Sequence, residues 1–175
     1  MAFYNGWKHT HETKWQTVEL PNGMCADMFG PFSFRHNDLE VFEDSKLNES
    51  LEAVQHDMAH KFVSYGDSIF PNLSCCKSKH RGDNLIPLTQ QEIAQNNGMG
   101  SVRICNEWHY GFTANLFPRS KHKSSIKILQ NMNVSLVYFV CTLLRNARVC
   151  LYGCQTSRYF DCMPPSLEEY LTQAP

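Results

Sequence analysis

The feature that most constrains the fold is a hairpin signal near the start of the chain. Residues 15–20 read WQTVEL, which alternates in polarity and is rich in β-forming residues. Pro21-Asn22-Gly23 is typical of a tight turn, and residues 24–29 then return as a second strand. The sequence therefore predicts an antiparallel hairpin, which needs a further layer to cover one of its faces.

Helical and strand signals follow the hairpin. Asn37-Asp38 precedes an apolar pattern and predicts a helix start with Asp38 at or near the N-cap. A short helix is expected over residues 48–55, and a strand over residues 62–65. Residues 71–88 have the prolines and polar residues of an irregular segment.

The second half of the chain is mostly helical in pattern. Thr89 and Glu92 have capping-box spacing, and the helix that they begin is expected to be interrupted at Gly98 and Gly100. A separate helix is then expected over residues 101–116.

Residues 125–149 predict a long helix, and a short helical tail is expected over residues 167–171. The apolar positions expected on the buried face of the long helix step by three and four. They are Leu129, Met132, Leu136, Val140, Leu143 and Ala147. The order of elements predicts an α/β sandwich with a mixed sheet flanked by helices.

Composition excludes several classes of protein. The 175 residues are 42 % hydrophobic, which is typical of a single globular domain and not of a disordered chain. A net charge of −1 gives no global signal for nucleic-acid binding. The longest apolar run, residues 134–144, is shorter than the roughly 20 residues that a membrane span needs, so no membrane partner is expected.

Eight cysteines raise the question of redox compartment. Residues 1–8 have neither the basic nor the apolar region of a signal peptide, so we expect reduced thiols in an intracellular protein. Cys150, Cys154 and Cys162 could bind zinc, but their spacing fits no standard zinc finger.

A carboxylate stands where the strand over residues 62–65 ends. Asp67 follows that strand closely, and Pro71 prevents its continuation. Asp67 could simply open a turn, because Asp side chains bond nearby backbone N–H groups. It could instead hold a metal ion. Neither alternative is excluded by the local sequence.

A second carboxylate, Glu107, lies among apolar helical neighbours, and Gly111 is one turn later on the same face. A helical glycine costs roughly 1 kcal/mol relative to alanine, so it could serve to admit a close neighbour such as a strand or a nucleic-acid backbone. The alternative is an ordinary surface ion pair between Glu107 and Arg103, four residues earlier.

These motifs together resemble the DDE-type transposases and endonucleases of the PIF/Harbinger kind, over residues 3–150. The segments that carry the resemblance are Phe3-Tyr-Asn-Gly-Trp-Lys8, Lys14-Trp-Gln-Thr-Val18, Pro21-Asn-Gly23, Gly30-Pro31, Arg35-His-Asn-Asp38, Tyr65-Gly-Asp-Ser68 with Pro71, and Glu107-x-x-Tyr110-Gly111.

The resemblance implies an RNase H-like fold and a DNA nuclease or transposase dependent on Mg²⁺ or Mn²⁺. Two aspartates and a glutamate of the family hold two divalent ions, one to activate the attacking water or 3′-hydroxyl and one to stabilise the leaving oxygen. Asp67 matches the second catalytic aspartate and Glu107 the glutamate, so both are expected to be catalytic and metal-binding. Asp38 matches an aspartate outside this triad, a helix cap or a group behind the ligands.

The family's first aspartate ends the central strand of the sheet, before the segment that begins at Phe3. We therefore expect that strand and aspartate to be absent, and Asp27 is no substitute because it lies on the return strand of the hairpin. The expectation is a partial, N-terminally truncated endonuclease domain over residues 1–153 with a C-terminal tail over residues 154–175, inactive in isolation.

The alternative is a non-catalytic, transposon-derived module that binds DNA or a protein, with a partner that supplies a DNA-binding domain. A local basic stretch could contact phosphates or could be a solvated loop. Its residues are Arg119, Lys121, Lys123 and Lys127. A nuclear location follows only from the expected DNA substrate.

Overall fold

The computed structural model describes residues 4–5, 10–11, 13–33, 35–83, 85–120 and 134–172. The chain forms two units. The first consists of Met1–Arg35 and Cys105–Pro175, and the second is His36–Ile104.

The first unit contains the hairpin that the sequence predicts. Strands β1 (Tyr4–Asn5) and β2 (Thr10–His11) form a small antiparallel pair, and β3 (Thr13–Glu19) pairs antiparallel with β4 (Cys25–Ser33). Gly23 takes a φ of +82° in the turn between β3 and β4, where a side chain would be strained. The predicted strand–turn–strand is therefore confirmed.

The helices of the first unit lie C-terminal to the hairpin. They are the second part of α3 (Gln90–Leu116), α4 (Val134–Tyr152), α5 (Gln155–Tyr159) and α6 (Leu167–Thr172), with a 3₁₀ turn at Pro118–Ser120. The tail helix is confirmed as α6, whereas α5 has no counterpart in the sequence-based expectation.

The core of the first unit joins hairpin and C-terminal segments. Met24 next to the turn, Val149 of α4 and Cys154 form its buried cluster, with Phe112 and Tyr170 packed against it. The boundary expected at residue 153 remains a prediction.

The buried face of α4 is not the one predicted. Leu136, Val140 and Leu143 are exposed and Ala147 is half-buried, while Leu129 and Met132 lie outside the described residues. The buried side chains of α4 are instead Cys141, Thr142, Arg145, Asn146 and Val149. Polar residues face inward because they bond to the hairpin: the Asn146 amide bonds to the backbone of Cys25, and Arg145 reaches the Glu19 carboxylate.

The second unit begins with two short helices, α1 (Asp38–Ser45) and α2 (Leu47–Gln55). Asn37 caps α1 by accepting from the Glu40 N–H at 2.7 Å, and the Glu40 carboxylate accepts from the Asn37 N–H at 3.1 Å. This reciprocal capping box confirms the predicted helix start.

Strand β5 (Ser64–Tyr65) pairs in parallel with β6 (Cys76–Lys77). The buried Gln55 side chain accepts a hydrogen bond from the Phe62 N–H just before β5, and its amide lies 3.6 Å from Cys75 Sγ next to β6. Gln55 thus contacts the residues that lead into both strands, at one end of this short parallel ladder.

The expected break at Gly98 and Gly100 is wrong, because α3 is one helix of 27 residues. Its predicted capping box is present: Thr89 Oγ1 accepts from the Glu92 N–H, and Glu92 accepts from the Thr89 N–H. A glycine costs about 1 kcal/mol in a helix, which is not enough to interrupt one that is otherwise well formed.

The described residues form a mixed α/β structure with three separate two-stranded sheets. The single mixed sheet expected from the sequence is not seen in this part of the chain. Among the described helices, none is both long and apolar enough to cross a membrane.

Candidate functional site

Asp67 follows β5 in the second unit and stabilises a turn. Its Oδ1 accepts from the Ser68 N–H at 2.7 Å, and its carbonyl accepts from the Phe70 N–H at 3.0 Å. Arg103 Nη1 lies 3.5 Å from the same Oδ1, and both side chains are partly exposed. Asp67 therefore has the bonds of a turn residue together with a cationic neighbour.

Glu107 lies on the part of α3 that belongs to the first unit, and it is exposed. The sequence offered a surface ion pair between Arg103 and Glu107 as an alternative. In the described structure Arg103 instead pairs with Asp67. A Cβ at Gly111, one turn after Glu107, would meet no atom within 4 Å in the described structure. Because Asp67 and Glu107 belong to different units, their joint metal binding remains a prediction.

The other predicted site residues have clear positions along the chain. Asp38 is the first residue of α1, where Asn37 and not Asp38 is the N-cap. Arg119 lies in the 3₁₀ turn. Lys121, Lys123 and Lys127 lie outside the described residues.

A second group of potential ligands, which the sequence did not predict, lies in the first unit. Glu19 ends β3 and is the cross-strand partner of Cys25 at the start of β4, and His109 comes from α3. One potential ligand atom from each lies within 4.8 Å of the others. Hairpin register therefore fixes two of the three, and a helix supplies the third.

This group is buried, with side-chain exposures of 0 % for His109 and 3 % for Glu19. His109 Nδ1 lies 2.7 Å from Glu19 Oε1, yet neither atom makes a hydrogen bond of acceptable geometry within the described structure. The other carboxylate oxygen, Oε2, lies 3.2 Å from Arg145 Nη2.

Burial also affects the thiol and phenol groups nearby. It raises the pKa of the Cys25 thiol, and the neighbouring Glu19 carboxylate raises it further. Burial likewise raises the pKa of Tyr138 and that of Tyr110, whose hydroxyl lies 2.9 Å from Thr17 Oγ1. In the absence of a metal, Cys25 is therefore a neutral thiol, whose Sγ lies 3.3 Å from the carbonyl of Asp27.

Sequence reasoning missed this group because His109 is distant along the chain from Glu19 and Cys25, which face each other across the hairpin. Two sequence signals point to it in hindsight. One is Glu19, a carboxylate at the end of a strand, and the other is Arg145, an arginine within an apolar helix. Neither indicates a partner without the fold.

The comparison with protein families gives one result. A family described as "DDE superfamily endonuclease" matches residues 1–146. The chain belongs to this DDE superfamily endonuclease family. No curated protein and no solved structure gave a significant match. The matched residues include both predicted carboxylates and all three residues of the buried group.

Membership implies a nuclease-type ancestry, DNA as the substrate class and a general dependence on divalent metal. The chemistry of the donors separates the two groups of residues. Carboxylates such as Asp67 and Glu107 suit Mg²⁺ or Mn²⁺, whereas a thiol and an imidazole beside a carboxylate suit a softer ion.

Proposed function

We propose that the chain is part of a PIF/Harbinger-type DNA endonuclease or transposase with an RNase H-like fold. The observation that carries this proposal is the family match over residues 1–146. The position of Asp67 two residues after the end of β5 supports it, since the end of a strand is a rigid place near which to hold a metal ligand.

Asp67 and Glu107 would hold Mg²⁺ or Mn²⁺, which would polarise the phosphodiester and activate the attacking hydroxyl. The chain would supply the carboxylate oxygens of these two residues as metal ligands. Arg103 Nη1 lies 3.5 Å from Oδ1 of Asp67, so a metal ion on that oxygen would displace the guanidinium. The family uses a third carboxylate beside these two.

A nicking assay on supercoiled plasmid tests this function. A version extended upstream with an apolar strand that ends in Asp should nick DNA in Mg²⁺ or Mn²⁺. Asp67→Asn and Glu107→Gln should each abolish nicking, while Asp57→Asn, at a fully exposed position, should not. Undiminished nicking by Asp67→Asn would remove Asp67 from the site.

The second candidate function is a non-catalytic module that binds DNA or a protein partner. The ion pair of Asp67 with Arg103 and the hydrogen bond of its carboxylate within the turn favour this alternative, since both occupy the proposed ligand. DNA binding that withstands chelator and Glu107→Gln would support the binding module. Chelator-sensitive binding would support the nuclease.

The basic stretch and the location of the protein complete the proposal. Charge reversal at Lys121 and Lys123 should flatten the dependence of DNA affinity on salt, because fewer counterions are released. Lys79→Glu in the second unit is the control. An unchanged slope would count against a DNA contact there.

Nuclear residence follows from a DNA substrate, and imaging of a tagged chain tests it.

A further inference from the structure

The buried group of Glu19, Cys25 and His109 has no role in the proposed nuclease. Its three side chains come from β3, β4 and α3. They converge at a point where no solvent reaches His109. A buried polar group normally has a hydrogen-bond partner, and one without a partner needs an explanation.

Both ring nitrogens of His109 and Oε1 of Glu19 are buried without a hydrogen bond in the described structure. Nδ1 and Oε1 lie 2.7 Å apart and contact each other as a buried pair, but Nε2 makes no hydrogen bond in the described structure, so the burial of these polar atoms next to a thiol is only partly compensated. An ion that accepts lone pairs from all of them removes this cost, because imidazole nitrogen, carboxylate oxygen and thiolate are all metal donors.

We propose that Glu19, Cys25 and His109 bind a Zn²⁺ ion at a site separate from Asp67 and Glu107. The donor set selects the metal, since thiolate and imidazole favour Zn²⁺ over Mg²⁺, Ca²⁺ or Mn²⁺. Binding converts the Cys25 thiol to a thiolate and releases its proton to solvent. Three protein ligands leave the fourth position of a tetrahedral ion for water.

Arg145 positions the carboxylate for this task. It contacts Oε2 of Glu19 at 3.2 Å and leaves Oε1 directed towards His109. Second-layer contacts of this kind commonly orient metal-binding carboxylates. The ion would join the hairpin to the helix that carries Glu107, so it would stabilise the first unit whether or not the chain cleaves DNA.

Zinc content of the purified chain, after dialysis against a weak chelator, tests the proposal. One Zn²⁺ per chain is expected, and Cys25→Ser and His109→Gln should each lose it. Loss of an outer partner costs roughly 10- to 100-fold in metal affinity, so loss of a ligand should cost more than about 100-fold. Cys141→Ser, another buried thiol of the first unit, should keep the ion.

Cobalt substitution identifies the ligands without relying on stability. Co²⁺ should give a thiolate charge-transfer band in the parent chain and in Cys141→Ser, but not in Cys25→Ser. Circular dichroism should report a folded chain for each variant, and Cys25→Ala, which likewise removes the thiolate, serves if Cys25→Ser does not fold. A parent chain that holds no zinc, or zinc retained by Cys25→Ser, would overturn the proposal. Asp67→Asn should keep its zinc, which separates this test from that of the nuclease.

Discussion

The side-chain amide of Asn146 bonds to both backbone groups of a single residue, Cys25. Its Oδ1 accepts from the Cys25 N–H at 3.0 Å, and its Nδ2 donates to the Cys25 carbonyl at 2.9 Å. All of these atoms are buried. The start of β4 is thereby paired to α4 as an additional strand would pair with it.

Asn146→Ala should destabilise the chain strongly, because it leaves two buried backbone groups of Cys25 without partners. Each such group costs about 1–3 kcal/mol, so a loss of about 2–5 kcal/mol in the free energy of unfolding is expected. Urea denaturation of the metal-free chain measures it. Asn97→Ala, at an exposed position of α3, should change it by less than about 0.5 kcal/mol. Equal effects of the two substitutions would argue against the Asn146 contact.

The buried pair of Arg145 and Glu19 predicts a non-additive result. Arg145→Met alone leaves a buried carboxylate without its cation and should cost about 3–5 kcal/mol. Adding Glu19→Gln should recover part of this loss, with a coupling of about 0.5–3 kcal/mol in a double-mutant cycle.

Arg148→Met provides the matched control for that cycle. Arg148 is exposed three residues further along α4, where it stacks on Tyr152 at 4.9 Å. Its loss should cost about 0.5–1 kcal/mol, the usual value of an exposed cation–π contact. Strict additivity of Arg145→Met and Glu19→Gln would mean that the two charges do not interact.

Glu92 predicts a pH dependence in the second unit. Hydrogen bonds from the backbone N–H and then the hydroxyl of Thr89 lower the pKa of Glu92 below its ordinary 4.5. Because the pKa is lower in the folded state, the stabilisation is present above 4.5 and is lost as pH falls through the folded value.

Glu92→Gln should therefore lower the urea midpoint near neutral pH, and the difference from the parent chain should close well below pH 4.5. Glu43→Gln on α1 is the exposed control. A difference that stays constant across this range would assign the effect of Glu92 to helix propensity and not to its charge.

Local features of this fold could be predicted from the sequence, and the packing could not. The turn at Pro21-Asn22-Gly23, the helix start near Asp38 and the capping box at Thr89 depend on contacts within a few residues, which the sequence contains. The inward side of α4 depends on Glu19, which lies far away along the chain, so an apolar periodicity indicated the wrong face.

The orientation of α4 gives a direct test of this explanation. Val149→Ala should cost about 0.5–2 kcal/mol in the free energy of unfolding, since Val149 is fully buried. Leu143→Gln, on the face that periodicity predicts to be buried, should change it by less than about 0.5 kcal/mol. A larger loss of stability from Leu143→Gln than from Val149→Ala would mean that the face predicted from apolar periodicity does pack against the core.

Two glycines of α3 test whether DNA approaches Glu107. A Cβ at Gly98 or at Gly111 would meet no atom within 4 Å in the described structure, so alanine fits at both positions. Each replacement should add about 1 kcal/mol to the free energy of unfolding, because glycine is the poorer helix former. Only Gly111 lies one turn from Glu107, so only Gly111→Ala should weaken DNA binding in a filter or anisotropy assay. Weakened binding by Gly98→Ala as well would point to a general effect on α3, and unchanged binding by both would mean that DNA does not pack against this face of the helix.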